Sequence, residues 1–265
     1  MPSLEKAPIV FHRRLAGDIY VMEYMSPSMA AEAQPGQFVN VRVGRSSDPL
    51  LRRPLSIHDV NAQTDCVSLL YRVAGRGTEM LSGRGINQDL DVMGPLGRGF
   101  TLAPDGSEVL LVGGGMGIAP LAFLARKLKE GGCEVTVLYG AESLEQAVAL
   151  KFFRDQGIEC RLATFDGSGG QPGFVTVLLD AIDPVPRYER LYCCGPPAMM
   201  RRVADWARRH RLPAEFSLEE HMACGVGSCL GCACQLRSDD PGYAKVCKDG
   251  PVFDLRRLGE IGGVQ

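Results

Sequence analysis

The stretch HMACGVGSCLGCAC, residues 221–234, holds four cysteines and three glycines in fourteen positions. Cys224, Cys229 and Cys232 follow the pattern C-x4-C-x2-C, and Cys247 comes after fourteen further residues. This is the plant-type spacing with which four thiolates hold a [2Fe–2S] cluster. Gly225, Gly227 and Gly231 let backbone N–H groups approach the sulfurs with no Cβ in the way, and such hydrogen bonds help to set a cluster's potential. A zinc site with four cysteine ligands uses the same soft donors but usually presents them as two C-x2–4-C knuckles, whereas here three ligands share one loop. Cys234 is left over and reads as a small buried residue that could compete as a ligand only if Cys232 were lost. A Rieske-type centre needs two histidines, and only His221 among the chain's four stands in this stretch. Cys66, Cys133 and Cys160 fall in or beside expected strands, where a free cysteine is commonly core.

A second candidate is VLLVGGGMGIAPL, which sets Gly113, Gly114, Gly115 and Gly117 between an apolar strand and a helix. Backbone N–H groups and the helix dipole can meet a pyrophosphate there. Read as G-x-G-x-x-G, the run has Pro120 at the third glycine, and no acidic residue is clearly placed to hold a ribose; a tight strand–helix turn would look the same. Cys194, Gly195, Pro196 and Pro197 end a later strand and Gly140 ends the intervening one, so three strand C-termini converge where open α/β sheets bind ligands. The convergence favours a nicotinamide nucleotide, with Cys194 alternatively a buried strand-end thiol.

A third candidate is RRPLSI, 52–57. An arginine on a rigid strand can hold a phosphate and a serine three residues on can hydrogen-bond a flavin ring, although a solvated basic edge has the same composition. AGRGTEML, 74–81, offers Gly75, Gly77 and Thr78 as phosphate ligands at a possible helix start, or simply a turn.

The elements that carry these residues fall into three textures. Up to about residue 102 there are short alternating runs such as FVNVRV and CVSLLYRV between turn signals, which suggest a barrel or sandwich without long helices. After APDG, strands EVLLVGGG, CEVTVLYG, IECRLATF and RYERLYCCG alternate with helices PLAFLARKLKEGG, SLEQAVALKFFRDQG and PAMMRRVADWARRH, giving βαβ units and a parallel sheet that closes near Arg211. Leu121, Leu124, Ala125 and Leu128 mark the buried face of the first helix, with Gly131 and Gly132 at its end. The remaining residues are rich in Cys and Gly, bury little apolar surface by themselves and need a staple. The expected fold class is therefore α+β and α/β multidomain: an antiparallel β-barrel over 1–103, a parallel α/β domain over 104–212 and a small cluster module over 213–265.

Charge excludes some partners: 29 basic against 31 acidic residues leave no footprint for nucleic acid or a membrane surface. The longest uncharged run, 109–125, is too short to span a bilayer, and the N-terminus has no apolar signal region. These features point to the cytoplasm, where ten cysteines stay reduced and serve burial, ligation or redox chemistry.

Taken in chain order, RPLS, GRGT, GPLGRGF, GGGMGIAP, CGPPAMM and the C-terminal cysteines resemble the ferredoxin-NADP reductase superfamily, and more specifically the PyrK family of electron-transfer subunits of class 1B dihydroorotate dehydrogenase. The resemblance implies an FAD-binding barrel, an NAD-binding α/β domain and a [2Fe–2S] module. It implies that Arg53, Pro54, Leu55, Ser56, Leu70, Tyr71 and Arg72 contact FAD, with Gly77 and Thr78 on its phosphates. Cys224, Cys229, Cys232 and Cys247 would hold the cluster, while the nucleotide would meet Gly114, Gly115, Gly117, Pro120, Cys194, Gly195 and Pro196. The implied partner is an FMN-bearing catalytic subunit that oxidises dihydroorotate in pyrimidine biosynthesis, in a heterotetramer with two copies of each chain. Electrons would pass from that FMN through cluster and FAD to NAD⁺; a cluster moves single electrons and a nicotinamide takes a hydride, so a flavin must sit between them. The chain would be an oxidoreductase subunit with cofactor-borne chemistry and no general base of its own, its Cys-rich module lying partly in the subunit interface. A reductase of the same architecture serving a sulfide- or ferredoxin-linked partner, or a zinc-stapled interaction module, would share many of these features. The sequence does not choose between NAD and NADP.

Overall fold

The structure is a computed structural model and describes residues 2–44, 48–182, 188–237, 242–259 and 261. Strands β1 (Ser3–Ala16), β2 (Ile19–Met25), β3 (Phe38–Arg42), β4 (Arg53–Asn61), β5 (Cys66–Arg72) and β6 (Asp89–Leu96) form a closed antiparallel barrel in the order β1-β2-β5-β4-β3-β6. Alternation explains the closure. In β6 every second residue is buried, and Ile9, Met22, Val39, Val41, Leu69 and Val92 fill one core inside the ring. Two short helices interrupt it: α1 (Pro27–Glu32), whose Ser26 cap accepts the Met29 N–H at 3.2 Å, and α2 (Arg76–Ser82).

The second body is a seven-stranded sheet. β7 (Glu108–Gly114), β8 (Glu134–Ala141), β9 (Glu159–Thr164), β10 (Gln171–Pro172), β11 (Arg190–Cys194) and β12 (Ala214–Ser217) run parallel, and β15 (Val252–Asp254) joins the edge antiparallel, in the order β10-β9-β8-β7-β11-β12-β15. Helices α3 (Ile118–Glu130), α4 (Leu150–Asp155), α5 (Thr176–Asp180) and α6 (Pro197–Arg209) cover it. The uninterrupted apolar run of β7 follows from burial on both faces: Leu110 and Val112 belong to one core and Val109 and Leu111 to the other.

Three expectations change here. The sheet does not close near Arg211, because β12 pairs with β11 and the chain returns as β15 to pair with β12. The C-terminal segment buries more than its composition suggests: Leu236, Val246, Phe253 and Leu258 share a core with Trp206 and Phe216 of the sheet domain. The helix expected over 143–157 forms only at Leu150–Asp155. Its first half is held instead by tertiary partners, since the Gln146 carbonyl accepts from the Tyr139 hydroxyl at 3.3 Å, the Leu144 N–H goes to Ser168 Oγ at 2.8 Å, and Gln146 Oε1 accepts from Arg72 Nη2 at 2.7 Å.

Helix α3 joins the two bodies. Its N-terminal turns are buried all round, Phe123 reaching the barrel core while Leu121 and Leu124 face the sheet. Arg126 donates from Nε and Nη2 to Asp59 Oδ1 at 2.8 and 2.6 Å and from Nη2 to the Val60 carbonyl at 2.9 Å. Buried His58 donates from Nδ1 to the Ala119 carbonyl at 3.2 Å, and burial holds its pKa below 6.5. These contacts fix barrel against sheet, and the space left between them is where the conspicuous residues gather. Among the described residues, no helix is long and apolar enough to cross a membrane.

Candidate functional site: a paired-thiol loop and two joined cavities

Strands β13 (Ala233–Gln235) and β14 (Tyr243–Lys245) form a small antiparallel hairpin. The Val246 N–H donates to the Cys232 carbonyl at 2.9 Å, so the ladder brings Cys247 beside Cys232 despite their separation in sequence. Their sulfurs lie 3.2 Å apart, and those of Cys224 and Cys229 lie 3.3 Å apart. Cys224 Sγ accepts the Cys229 N–H at 3.4 Å, Cys247 Sγ accepts the Gly227 N–H at 3.2 Å, and Lys245 Nζ pins the loop at the Gly227 carbonyl at 2.7 Å. Burial alone would raise the Cys224 pKa, but the N–H groups of Cys229, Val226 and Ser228 bring it down to about 6. Cys247 is pushed up to about 12 by burial and its bond with the Cys232 thiol.

Two thiol pairs are the donor set of two tetrahedral irons. Among the described residues, no three Cys, His, Asp or Glu side chains converge as they would around a single ion. Cys234 stands outside both pairs, its pKa raised to about 11 by burial and the Glu220 charge.

A cavity of about 370 Å³ lies where barrel, α3 and the C-terminal segment meet. Pro54, Leu55, Ser56, Leu70, Tyr71 and Arg72 line it from the barrel, Met116 and Ala119 from the sheet domain, Ser217 from the end of β12, and Glu219 and Met222 from beyond it. Six of the seven barrel residues expected to touch FAD are thus on its wall. Arg53 is not; its guanidinium lies against Gly77 at the start of α2. Thr78 Oγ1 bonds within its own turn, to the Gly75 carbonyl at 3.0 Å and from the Ala74 N–H at 2.9 Å. The Tyr71 hydroxyl donates to His12 Nε2 at 2.8 Å and its ring stacks on Tyr20 at 5.8 Å, so this side chain is anchored away from solvent.

The second cavity, about 660 Å³, opens over the C-terminal ends of the parallel strands. Of the residues expected to meet the nucleotide, Gly114, Gly115 and Pro196 line this cavity; Gly195 is not on its wall, and Gly117, Pro120 and Cys194 are buried outside its lining. Gly117 is required by close approach: a Cβ there would strike the Cys194 carbonyl, which locks the glycine loop onto the CGPP turn. Cys194 is 1% exposed and its thiol pKa is raised by burial.

Several lining residues escaped the sequence reading. Glu142 directly follows β8, near the strand-end position where the glycine motif asks for a ribose-binding carboxylate, and only the strand's observed end reveals it. Phe165 and Phe174 face each other at 5.2 Å at the cavity mouth, 63% and 67% exposed, a ready surface for a planar ring. Arg72 borders both cavities and is held by Gln146 and by Asp18 at 3.4 Å. Asn40, 1% exposed, leaves Oδ1 and Nδ2 without a hydrogen-bond partner among the described residues. An unpaired buried polar group costs about 1–3 kcal/mol, so something outside the chain is expected to meet it.

A closed barrel clamped by one helix to a parallel sheet, with two cavities that share Arg72 and a paired-thiol loop, defines the ferredoxin-NADP reductase architecture with an iron–sulfur module added. Solved structures agree: that of an NADH-dependent reduced ferredoxin-NADP oxidoreductase, studied for flavin-based electron bifurcation, matches with a TM-score of 0.86 at 30% identity, covering 98% of this chain and 92% of that one. The ferredoxin reductase of carbazole 1,9a-dioxygenase shares the fold at a TM-score of 0.69 and 24% identity, covering 81% and 69%. Residues 219–259 match the family model for the iron-sulfur cluster binding domain of dihydroorotate dehydrogenase B. The electron transfer subunit of dihydroorotate dehydrogenase B (NAD(+)) from Desulforamulus reducens is 42% identical over 96% of this chain and 97% of that protein, and that from Bacillus caldolyticus is 40% identical over 98% and 99%. The chain belongs to this family of dihydroorotate dehydrogenase B electron transfer subunits.

Proposed function

We propose that this chain collects electrons from a flavin-bearing catalytic subunit that oxidises dihydroorotate and delivers them to NAD⁺, using a [2Fe–2S] cluster and FAD. When bound, a cluster exchanges single electrons, a flavin exchanges one or two, and a nicotinamide takes a hydride. The observation that carries the reading is the two thiol pairs, Cys224–Cys229 and Cys232–Cys247, in the same chain as two cavities that share Arg72 in their walls.

The chain's part is placement. Cys224 and Cys229 hold one iron, Cys232 and Cys247 the other. Pro54 to Ser56 and Leu70 to Arg72 seat the flavin ring, with Arg53 and the α2 turn at Gly77 and Thr78 taking its phosphates. Gly114, Gly115, Gly195 and Pro196 receive the second nucleotide, over the loop locked by Gly117, Pro120 and Cys194. Glu142 suits a free ribose 2′-hydroxyl and repels a 2′-phosphate, which favours NAD over NADP. The division of labour follows 1–103, 104–212 and 213–265, with β12 and β15 tying the last part to the sheet. A cytoplasmic setting suits ten free thiols, and a heterotetramer with two copies of each subunit follows the family pattern.

Val226 and Leu230 stand exposed beside Cys229, at 42% and 71%. They form an apolar rim suited to the catalytic subunit. Replacing both with lysine should cut dihydroorotate-driven NAD⁺ reduction at least tenfold while leaving NADH oxidation by an artificial acceptor intact; equal loss of both activities contradicts the assignment. Co-purification with the partner, with flavin and iron quantified, tests the reading as a whole. If dihydroorotate cannot drive NAD⁺ reduction in that complex, the chain serves a different donor, as its likeness to the ferredoxin-NADP oxidoreductase would allow.

A further inference from the structure

Residue 40 of β3 sits between Pro54 of β4 and Met93 of β6. Its neighbours Val39 and Val41 fill the barrel, so Asn40, like Phe38, faces outward and is covered by the C-terminal segment. The backbone there is pinned: Arg52 Nη1 donates to the Asn40 carbonyl at 3.2 Å and to the Asp91 carbonyl at 3.0 Å, while Nη2 pairs with Asp91 Oδ1 at 2.7 Å. The side-chain amide is thereby held against the cysteine loop, at Gly225, the residue after Cys224. A Cβ on Gly225 would stand 2.5 Å from Asn40 Nδ2, and the backbone turns there through φ +70°. Both constraints demand glycine, and together they leave a buried amide with no partner among the described residues, beside the first cysteine of the loop.

The flavin cavity is lined by Phe38 and Pro54 but not by Asn40. What the loop brings against Asn40 is Gly225, directly after Cys224, the first of the cysteines proposed to hold a cluster. Thiolates and sulfides of an iron–sulfur cluster accept hydrogen bonds and cannot donate them, and the end of the amide nearest Gly225 is the donating one. We infer that Asn40 donates a hydrogen bond from Nδ2 to a sulfur of the cluster and so raises its reduction potential, because a donor to sulfur favours the more negative reduced form. The inference rests on the proposal that Cys224, Cys229, Cys232 and Cys247 hold a [2Fe–2S] cluster.

The chain contains three asparagines, at 40, 61 and 87, and the other two are exposed in barrel turns. Full-length holoprotein labelled with ¹⁵N in asparagine alone, reduced with dithionite and measured by pulsed EPR, should show a ¹⁵N coupling on the cluster signal that disappears in Asn40→Leu. A redox titration of Asn40→Leu should move the cluster midpoint downward by on the order of tenfold in the one-electron equilibrium, 59 mV, with the FAD midpoint unmoved. Should the leucine variant fail to fold, the isotope measurement on the unmutated chain still decides. A wild-type signal without asparagine coupling, a coupling that survives in Asn40→Leu, an unchanged cluster midpoint, or a shift confined to FAD each overturns the inference. A wild-type chain that never acquires the visible absorption of a cluster overturns the functional reading beneath it.

Discussion

The cysteine loop and the cavity proposed for the flavin would hold redox groups in opposite ways. In the loop, three of four sulfurs come from nine consecutive residues and the fourth arrives across a short hairpin. The cavity draws its wall from β4, β5, the start of α3 and the segment after β12, so no short stretch of sequence contains it. Ligation by covalent donors is all-or-none, whereas a cavity made of many van der Waals and hydrogen-bond contacts degrades by degrees. The two regions should therefore fail differently when perturbed.

The largest effect is expected in the loop. Cys232→Ser and Cys247→Ser should each reduce bound iron to near zero, while Cys234→Ser, outside both pairs, should keep it. Iron analysis and visible absorption check this, and iron loss in all three alike would break the contrast. Next comes the glycine loop at the nucleotide cavity. In Gly117→Ala the new Cβ must push the glycine loop off the CGPP turn. We expect a loss of about 1–3 kcal/mol in denaturant unfolding and a rise of roughly tenfold in KM for NADH, about 1.4 kcal/mol of binding, with iron content unchanged.

The smallest effect concerns the clamp that shapes the cavities. His58 has its folded pKa lowered below the ordinary 6.5 by burial, so above pH 6.5 it is neutral in both states and contributes no pH dependence. As pH falls below 6.5 the unfolded chain takes up the proton first and stability drops, by at most about 1.4 kcal/mol per pH unit. His58→Asn should flatten that part of the stability–pH curve measured by urea unfolding; an unaltered slope would show that another group carries it.

How much was legible depended on how far each feature reaches through the chain. The set of four spaced cysteines, the barrel strands and helix α3 follow from spacing and periodicity, which act over a few residues. The 143–157 segment misled because its helical pattern competes with bonds to Tyr139, Ser168 and Arg72, two of them from other elements and one from the other domain. The place of Glu142 on the cavity wall was invisible because it depends on where β8 ends beside its neighbours. Asn40 looks like one polar residue in an apolar strand until Gly225 is found against it.

By itself the sequence determined the chemistry available: four thiols at two-iron spacing, glycines where backbone must approach a nucleotide, and apolar periods that commit the chain to a barrel followed by a parallel sheet. Tertiary structure decided which of those groups meet. It paired the sulfurs through a hairpin, placed Arg72 on the wall of both cavities and set Asn40 against the cysteine loop. Donor type is a property of a side chain and travels with the letter, whereas proximity between residues far apart in the chain is created only when the whole fold closes.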